Sequence, residues 1–322
     1  MKVEKLRTYY FTRYGVVKAV DNVTFEIYKG ETLGLVGESG CGKSTLGFSI
    51  IKLVPPPGRI VDGKIIFEGK NLVEASEDEM RKIRGKKISM IFQDPMTSLN
   101  PLMRIGDHIV ELILTHEKVT KEKALEKAEK LLDELGISRE RINDYPHQFS
   151  GGMRQRVMIG LALALNPDLV IADEPTTALD VIVEAQILNL MKKLKENYNL
   201  TLILITHNIG IVAEMADKIG VMYAGKLVEF SESLPLFENP LHPYTEALLE
   251  AVPNIKLSEQ TLKWIPGSPP NLLNPIKGCR FAPRCKYKMD ICLEKEPPLV
   301  SYGDHSRVAC WLYEKEKRGE ST

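Results

Sequence analysis

A glycine-rich run near the amino terminus carries residue types that bind phosphate. The run is Gly37-Glu38-Ser39-Gly40-Cys41-Gly42-Lys43-Ser44, and it fits the phosphate-loop pattern between a predicted strand and a predicted helix. In such a loop the glycines let backbone N–H groups surround a phosphate, and the helix N-terminus adds its dipole. We therefore expect Lys43 to contact the β- and γ-phosphates of a nucleotide and Ser44 to bind Mg²⁺. With Thr45, every residue of the run except Glu38 is a predicted nucleotide contact. A glycine turn without a ligand is the ordinary alternative.

Strands and helices alternate around this loop. Short apolar or alternating runs predict strands at 23–27, 32–36, 64–68, 88–92, 169–172, 202–206, 219–223 and 226–230. Helices are predicted at 43–53 and 181–196, and the lysine- and glutamate-rich stretch 105–136 has a helical pattern. Apolar strands that bracket a helix are typical of buried parallel strands with crossovers. The pattern predicts an α/β fold.

Two further segments narrow the class of phosphate-binding protein. Residues 149–155 read Phe-Ser-Gly-Gly-Met-Arg-Gln, and the apolar strand 169–172 is followed by Asp173 and Glu174. In this order the two segments resemble the signature and Walker B motifs of ABC ATPases. The resemblance covers about residues 1–250. It implies a P-loop ABC ATPase with a mixed β core and a helical subdomain at about 94–165.

Other motifs of the ABC family have counterparts here. Gln93 resembles the Q-loop glutamine, which in the family touches Mg²⁺ and the attacking water. Asp180, in the run Ala-Leu-Asp, is similar to the D-loop aspartate, and His207 resembles the switch histidine. Tyr14 is a candidate for the aromatic ring that stacks on adenine, although Tyr9, Tyr10 and Phe11 lie close by and could serve instead. Each residue alone has a commoner structural reading, such as a helix cap or a core side chain. Their joint order and spacing favour the functional one.

The resemblance implies ATP hydrolysis at a site shared by two chains. Mg²⁺ would be held by Asp173 and Ser44, with Gln93 beside it. Glu174 would orient and deprotonate the water, and His207 would hold the γ-phosphate that Lys43 neutralises. In the family the signature residues complete the nucleotide site of the opposite subunit. Ser150, Gly151 and Gly152 are therefore expected to contact the nucleotide of the opposite subunit, and Asp180 is also a predicted nucleotide contact.

Segments outside these motifs resemble the oligopeptide and dipeptide importer branch of the family. They are residues 94–101, 239–245, 266–270 and 278–285. This branch implies two transmembrane permease subunits, a second ATPase subunit and, indirectly, an extracytoplasmic solute-binding protein. Some members of the branch carry oligosaccharides or nickel, so the cargo stays open. The chain is expected on the cytoplasmic face of the membrane as a peripheral protein.

Four of the five cysteines lie close together near the carboxyl terminus. They are Cys279, Cys285, Cys292 and Cys310. In a reducing compartment such clustering favours a metal over disulfides. Because the spacing contains no C-x₂-C pair of the kind common in structural zinc sites, we expect a [4Fe–4S] cluster, with zinc, disulfides and free thiols as alternatives. Its charge would be offset by Arg280, Arg284, Lys286 and Lys288, and its shield from water would be Phe281, Tyr287 and Trp311.

Composition sets outer limits on organisation and partners. The 322 residues are 43% hydrophobic, which allows one large domain at 1–250 and a small cysteine-rich extension at 251–322. Lysine plus arginine equals aspartate plus glutamate at 43 each, so no net positive charge is available for nucleic acid. This neutrality disfavours a non-transport ABC ATPase of DNA repair or translation. No stretch of about 18 apolar residues suggests a membrane span, and no signal peptide is apparent.

Overall fold

The computed structural model describes residues 1–94, 98–251 and 265–317. In chain order its strands are β1 (Lys2–Thr12), β2 (Gly15–Glu26), β3 (Thr32–Val36), β4 (Gly58–Phe67), β5 (Lys70–Asn71), β6 (Ile88–Ile91), β7 (Leu169–Asp173), β8 (Thr201–Ile205), β9 (Lys218–Tyr223), β10 (Lys226–Glu232), β11 (Val300–Tyr302) and β12 (Ser306–Val308). Its helices are α1 (Lys43–Ile50), α2 (Glu77–Ile83), α3 (Ile105–His116), α4 (Lys121–Glu134), α5 (Gly151–Leu163), α6 (Val181–Tyr198), α7 (Ile209–Met215), α8 (Ser233–Glu238), α9 (Pro243–Glu250), α10 (Ile291–Glu294) and α11 (Trp311–Lys317).

These elements belong to two compact units. The first unit contains residues 1–27, 32–74 and 206–322, and the second contains residues 28–31 and 75–205. The predicted domain boundary near 250 adjoins residues 252–264, which lie outside the described residues, so this boundary stays a prediction. None of the helices in the described residues is long and apolar enough to cross a bilayer.

The first unit contains two groups of paired strands. Antiparallel pairing orders one group β2-β1-β4-β5. In the other, β11, β12, β10 and β9 pair antiparallel in that order, and β9 pairs with β3 in parallel. The strand β3 is buried at every position, as its continuous apolar run predicts. The phosphate-loop run follows it and leads into α1.

The second unit combines a parallel sheet with helices. Strands β6, β7 and β8 pair in parallel, and β7 and β8 are completely buried. Helices α3, α4 and α5 lie between β6 and β7 in the chain, and Thr120 and Ser150 cap α4 and α5 with their hydroxyls. The helical pattern predicted at 105–136 is therefore two helices with a break before Thr120. The predicted α/β class is confirmed.

Candidate nucleotide site

The phosphate-loop run adopts a backbone that only glycine accommodates at two of its positions. Gly37 has a φ of 149° and Gly42 a φ of 104°. A Cβ atom on Gly37 would lie 2.1 Å from the Met222 carbonyl oxygen, and one on Gly42 would lie 2.0 Å from the Ala19 carbonyl oxygen. Both contacts are with backbone, so neither can be relieved by a rotamer change. Gly42 is the N-cap of α1, so the helix N-terminus faces the loop as predicted from the sequence.

Lys43 lies within the loop. Its side chain is buried, and its Nζ donates to the carbonyl oxygens of Gly37 at 2.7 Å and Glu38 at 3.1 Å. Cys41 Sγ lies 3.7 Å from the same ammonium group, and burial raises the pKa of this thiol, which keeps it protonated. The loop that would bind the phosphate therefore also holds the Lys43 side chain, the predicted contact to that phosphate.

Among the aromatic candidates for adenine stacking, Tyr14 is the most exposed. It lies in the turn between β1 and β2, 74% exposed, with the Arg13 guanidinium over its ring. By contrast, Tyr9 donates its hydroxyl to Asp21, and the Tyr10 hydroxyl lies 3.4 Å from Thr45 Oγ1. Phe11 is covered by Arg59. Tyr14 is therefore the most accessible of the four rings.

The second unit brings two predicted catalytic residues, Gln93 and Glu174, together at the end of β7. Asp173 is buried, and Glu174 follows it with a positive φ of 46°, which is uncommon for a residue with a side chain. The Glu174 carboxylate accepts hydrogen bonds from Gln93 Nε2 at 3.1 Å and Thr177 Oγ1 at 2.9 Å. Its own N–H donates to the Ile205 carbonyl. Two side chains therefore hold the carboxylate, and the main chain of β8 holds the backbone of the residue.

Thr177 was not predicted from the sequence. It lies three residues after Glu174, so a side-chain hydrogen bond across the short turn 174–177 is geometrically simple. A hydroxyl at this spacing after an acidic strand end was the available signal.

The signature run begins a helix that packs closely on its neighbour. Ser150 caps α5 by accepting a hydrogen bond from the Met153 N–H. A Cβ on Gly152 would lie 2.5 Å from Val183 in α6, whereas Gly151 has room. Phe149 is buried beneath the Arg141 guanidinium. The small residue at 152 is thus required by packing within this chain as well as by any ligand.

Asp180 and His207 lie at the starts of helices. Asp180 caps α6 through a hydrogen bond from the Val183 N–H, and the preceding Ala178 is exposed with a φ of 63°. His207 is exposed and lies between β8 and α7, in the first unit. Gln93, Glu174, Asp180 and the signature run all belong to the second unit, whereas the phosphate loop belongs to the first.

The four clustered cysteines line one small cavity in the first unit. All four are free, and the space between them is about 10 Å³, roughly that of one water molecule. Phe281, Tyr287 and Trp311 line it too, as predicted. Burial raises the pKa of Cys279 to about 11 and that of Cys310 to about 12, so these are neutral thiols. Within residues 1–94, 98–251 and 265–317, no group of three or more His, Cys, Asp or Glu side chains is disposed to hold a metal ion.

Three of the cations predicted to offset a metal centre are paired with carboxylates instead. Arg280 donates to Asp21 and to the Ala224 carbonyl, and Arg284 donates to Glu38. Lys286 Nζ lies 2.9 Å from Glu246. Each of these three side chains therefore has a carboxylate partner from a distant part of the chain, and a role beside a metal centre stays a prediction.

Known proteins match the chain over nearly its whole length. Residues 20–177 match the family model of ABC transporters, and residues 228–292 match the oligopeptide/dipeptide transporter C-terminal region. The oligopeptide transport ATP-binding protein OppD of Bacillus subtilis is 51% identical over 97% of this chain and 88% of its own. The dipeptide transport ATP-binding protein DppD of the same organism is 47% identical over 98% and 95%, respectively.

Solved structures of ATP-binding cassettes also match the chain. A dimeric post-hydrolysis state of the ATP-binding cassette MJ0796, bound to ADP and Pi, has a TM-score of 0.64 at 28% identity and covers 72% of this chain and 98% of that one. The protein cbiO1 from Clostridium perfringens, part of the ABC transporter complex cbiONQ, has a TM-score of 0.63 at 27% identity, and the match covers 74% of this chain and 90% of that one. The chain thus belongs to the ABC transporter family, as an ATP-binding subunit of the oligopeptide and dipeptide importer branch.

Proposed function

We propose that the chain hydrolyses ATP to drive the import of oligopeptides or dipeptides. The observation that carries this proposal is the 51% identity with an oligopeptide transport ATP-binding protein over 97% of the chain. The glycine backbone of the phosphate loop and the fixed carboxylate of Glu174 support the ATPase half of the proposal.

The phosphate loop would bind the nucleotide. Backbone N–H groups of residues 37–45 would surround the β-phosphate, and Lys43 would exchange its loop carbonyls for β- and γ-phosphate oxygens. Ser44 and Asp173 would hold Mg²⁺, with the Gln93 amide oxygen beside it. Mg²⁺ held there would supply positive charge that offsets the negative charge of the phosphates. Tyr14, the most exposed of the candidate rings, would stack on adenine.

Glu174 is our proposed general base. A carboxylate that accepts hydrogen bonds from Gln93 and Thr177 keeps one orientation, so it can align a water with the γ-phosphorus and accept its proton. His207 would hold the γ-phosphate against that water.

A second ATPase subunit would complete each nucleotide site. Ser150, Gly151, Gly152 and Asp180 would face the nucleotide of the opposite chain, and the cassette MJ0796, which is similar to this chain, has been solved as a dimer with ADP and Pi. The partner of this chain would be a homologous subunit. Closure and opening of the dimer would supply the power stroke.

A groove in the second unit suits a segment of the permease. It has a volume of about 500 Å³ and is lined by Phe92 and by side chains from β6, α3 and α5, among them Met90, Leu112, Met158 and Leu161. We propose that a short helix of a transmembrane permease subunit docks there, which would attach the chain to the cytoplasmic face of the membrane. An extracytoplasmic solute-binding protein would deliver the peptide, and nucleic acid would have no part.

Uptake by cells that carry Lys43→Ala in the chromosomal copy tests the cargo. Labelled tripeptide, oligosaccharide and Ni²⁺ are supplied separately, and a strain with the restored lysine is the matched control. We expect loss of peptide uptake alone. Loss of oligosaccharide or Ni²⁺ uptake, with peptide uptake intact, would contradict the peptide assignment and favour the corresponding cargo.

The four cysteines carry a separate proposal, that they bind a [4Fe–4S] cluster. Its support is their convergence on one cavity with aromatic walls, although the small space means that the thiols would have to move apart. Anaerobic purification should yield a brown protein whose iron is lost on Cys292→Ser. Colourless, iron-free protein after anaerobic reconstitution would contradict the cluster, and zinc by elemental analysis would support the alternative metal.

A further inference from the structure

Every polar group of Glu38, in the phosphate loop, has a partner within the first unit. Its N–H donates to Tyr244 Oη at 2.9 Å, and its carbonyl oxygen accepts from Lys43 Nζ. Its carboxylate accepts two hydrogen bonds from Arg284, which lies 246 residues further along the chain. The orientation of this loop residue is therefore set by the C-terminal half of the unit.

Arg284 uses all five of its N–H donors at this contact. Its two terminal nitrogens reach the two Glu38 carboxylate oxygens at 2.8 and 3.0 Å. The other three hydrogen bonds go to Tyr223 Oη at 3.2 Å, the Ile265 carbonyl at 3.1 Å and the Pro266 carbonyl at 2.8 Å. Only 6% of the side chain is exposed. A guanidinium held on all sides is a rigid clamp for a carboxylate.

Aromatic side chains pack together beside Arg284 and hold its backbone in place. The rings of Tyr223 and Tyr244 are 4.6 Å apart, and Phe281, three residues before Arg284, packs against both at 5.2 and 5.4 Å. Tyr223, Tyr244 and Phe281 are all buried in one hydrophobic cluster. Residues 279–286, called the tail segment below, therefore cannot shift without disturbing the core of the unit.

A second arginine of the same tail segment supports the loop from behind. Arg280 donates to the Ala224 carbonyl, and the N–H of the next residue, Gly225, donates to the Cys41 carbonyl at 2.8 Å. Arg280 and Arg284 thus fix two different points of the phosphate loop, at residues 41 and 38.

The charge of Glu38 gives the clamp a consequence for nucleotide binding. A carboxylate in a loop that binds a polyphosphate repels the ligand unless a cation neutralises it. Arg284 supplies that cation and, through its fork, holds the carboxylate on the side of the tail segment. Without the Arg284 fork, the Glu38 carboxylate would no longer be neutralised. The loop backbone at Glu38, whose carbonyl accepts a hydrogen bond from Lys43, would also no longer be held in place.

We propose that Arg284 is a positioning residue of the nucleotide site, which sets ATP affinity by holding Glu38 and the phosphate loop in the binding conformation. The tail segment is then part of the nucleotide site. This inference rests on the proposed ATPase function, and it assigns to the cysteine-containing tail a role in nucleotide affinity that is independent of any metal.

ATPase kinetics of full-length variants test the inference. Arg284→Met removes charge and fork, and Arg284→Lys keeps the charge alone. Lys286→Met is the matched control, because it removes an exposed cation of the same segment that pairs with half-buried Glu246 and not with the phosphate loop. Affinity for a fluorescent ATP analogue and iron content are measured on the same preparations.

We expect Arg284→Met to raise KM for ATP and the Kd of the analogue about tenfold or more, with kcat within about threefold, since hydrogen bonds to charged groups carry affinity of this order. Arg284→Lys should raise KM about threefold or more, and Lys286→Met should match wild type. A merely structural role would lower the active fraction without raising KM.

The inference is overturned if Arg284→Met leaves KM and Kd within about twofold of wild type, or if KM rises only in preparations that have lost iron relative to wild type. Should Arg284→Met fail to fold, Arg284→Lys decides by its own expected rise in KM. Wild-type protein that neither binds nor hydrolyses ATP would instead contradict the proposed function.

Discussion

Replacement of single loop glycines by alanine should separate two kinds of strain at the phosphate loop. Gly40 and Gly42 lie two residues apart, and both have positive φ angles, of 75° and 104°. A Cβ on Gly40 meets nothing within 4 Å, whereas one on Gly42 lies 2.0 Å from the Ala19 carbonyl oxygen. Gly40→Ala is therefore a matched control for Gly42→Ala.

The expected magnitudes follow from these two environments. Gly40→Ala should cost about 1–2 kcal/mol of stability, the cost of a left-handed conformation for an L-residue. Gly42→Ala adds an overlap with backbone that forces the loop or β2 to move, which contributes about 1–3 kcal/mol more. Since about 1 kcal/mol shifts the unfolding midpoint by 2–4 °C at this size, Gly42→Ala should lower it about twice as far.

Thermal unfolding with and without Mg-ATP measures both effects. Gly42→Ala should also lose the stabilisation that ATP confers, because Lys43 follows directly on the displaced backbone. Equal midpoints for the two variants, or stabilisation of Gly42→Ala by ATP to the wild-type extent, would refute the loop geometry as the cause.

Two further substitutions have defined outcomes. Lys43→Ala should weaken ATP-analogue binding about tenfold to a hundredfold, because it removes the charged donor at the loop; unchanged affinity in a fluorescence titration would exclude residues 37–44 as the phosphate site. Asp21→Asn should destabilise the first unit by about 3–5 kcal/mol in denaturant titrations, since Arg280 and Lys226 lose their buried shared anion. Burial would raise the pKa of Asp21, but Lys226, Tyr9 and Arg280 outweigh it and lower the pKa. The Asp21→Asn difference should therefore be present above about pH 4 and disappear as pH falls through the folded pKa; a difference that grows with acid would contradict the pairing.

The buried parallel strands were predictable because their signal is local. Residues 32–36 were predicted as a strand and form β3, and the run 169–172 forms most of β7. A short run that is apolar at every position must bury both of its faces, which is typical of a strand in the interior of a parallel sheet. The first strand, β1, was not predicted. Irregular pairing between Val3 and Leu6 breaks the alternation, so the two buried apolar residues lie three apart and no apolar period of two marks the strand.

The candidate site divides in the same way. Motif spacing predicted the loop glycines, Asp173 and Glu174, because each motif is a short continuous run of residues. The contact of Arg284 with Glu38 could not be predicted from spacing, because its partners are 246 residues apart and either charge could have remained in solvent. The contact of Arg280 with Asp21 is a similar case, because these two residues lie 259 residues apart.

The central claim, that Glu174 is the base of an ATPase, is tested most directly by turnover of the Glu174→Gln variant beside wild type and Glu196→Gln. The amide has the same shape but cannot accept the proton of water, whereas Glu196 is an exposed carboxylate near the end of α6. ATP turnover by Glu174→Gln should fall by about 100-fold or more with analogue affinity retained, and Glu196→Gln should match wild type. Turnover by Glu174→Gln within about tenfold of wild type would contradict the account.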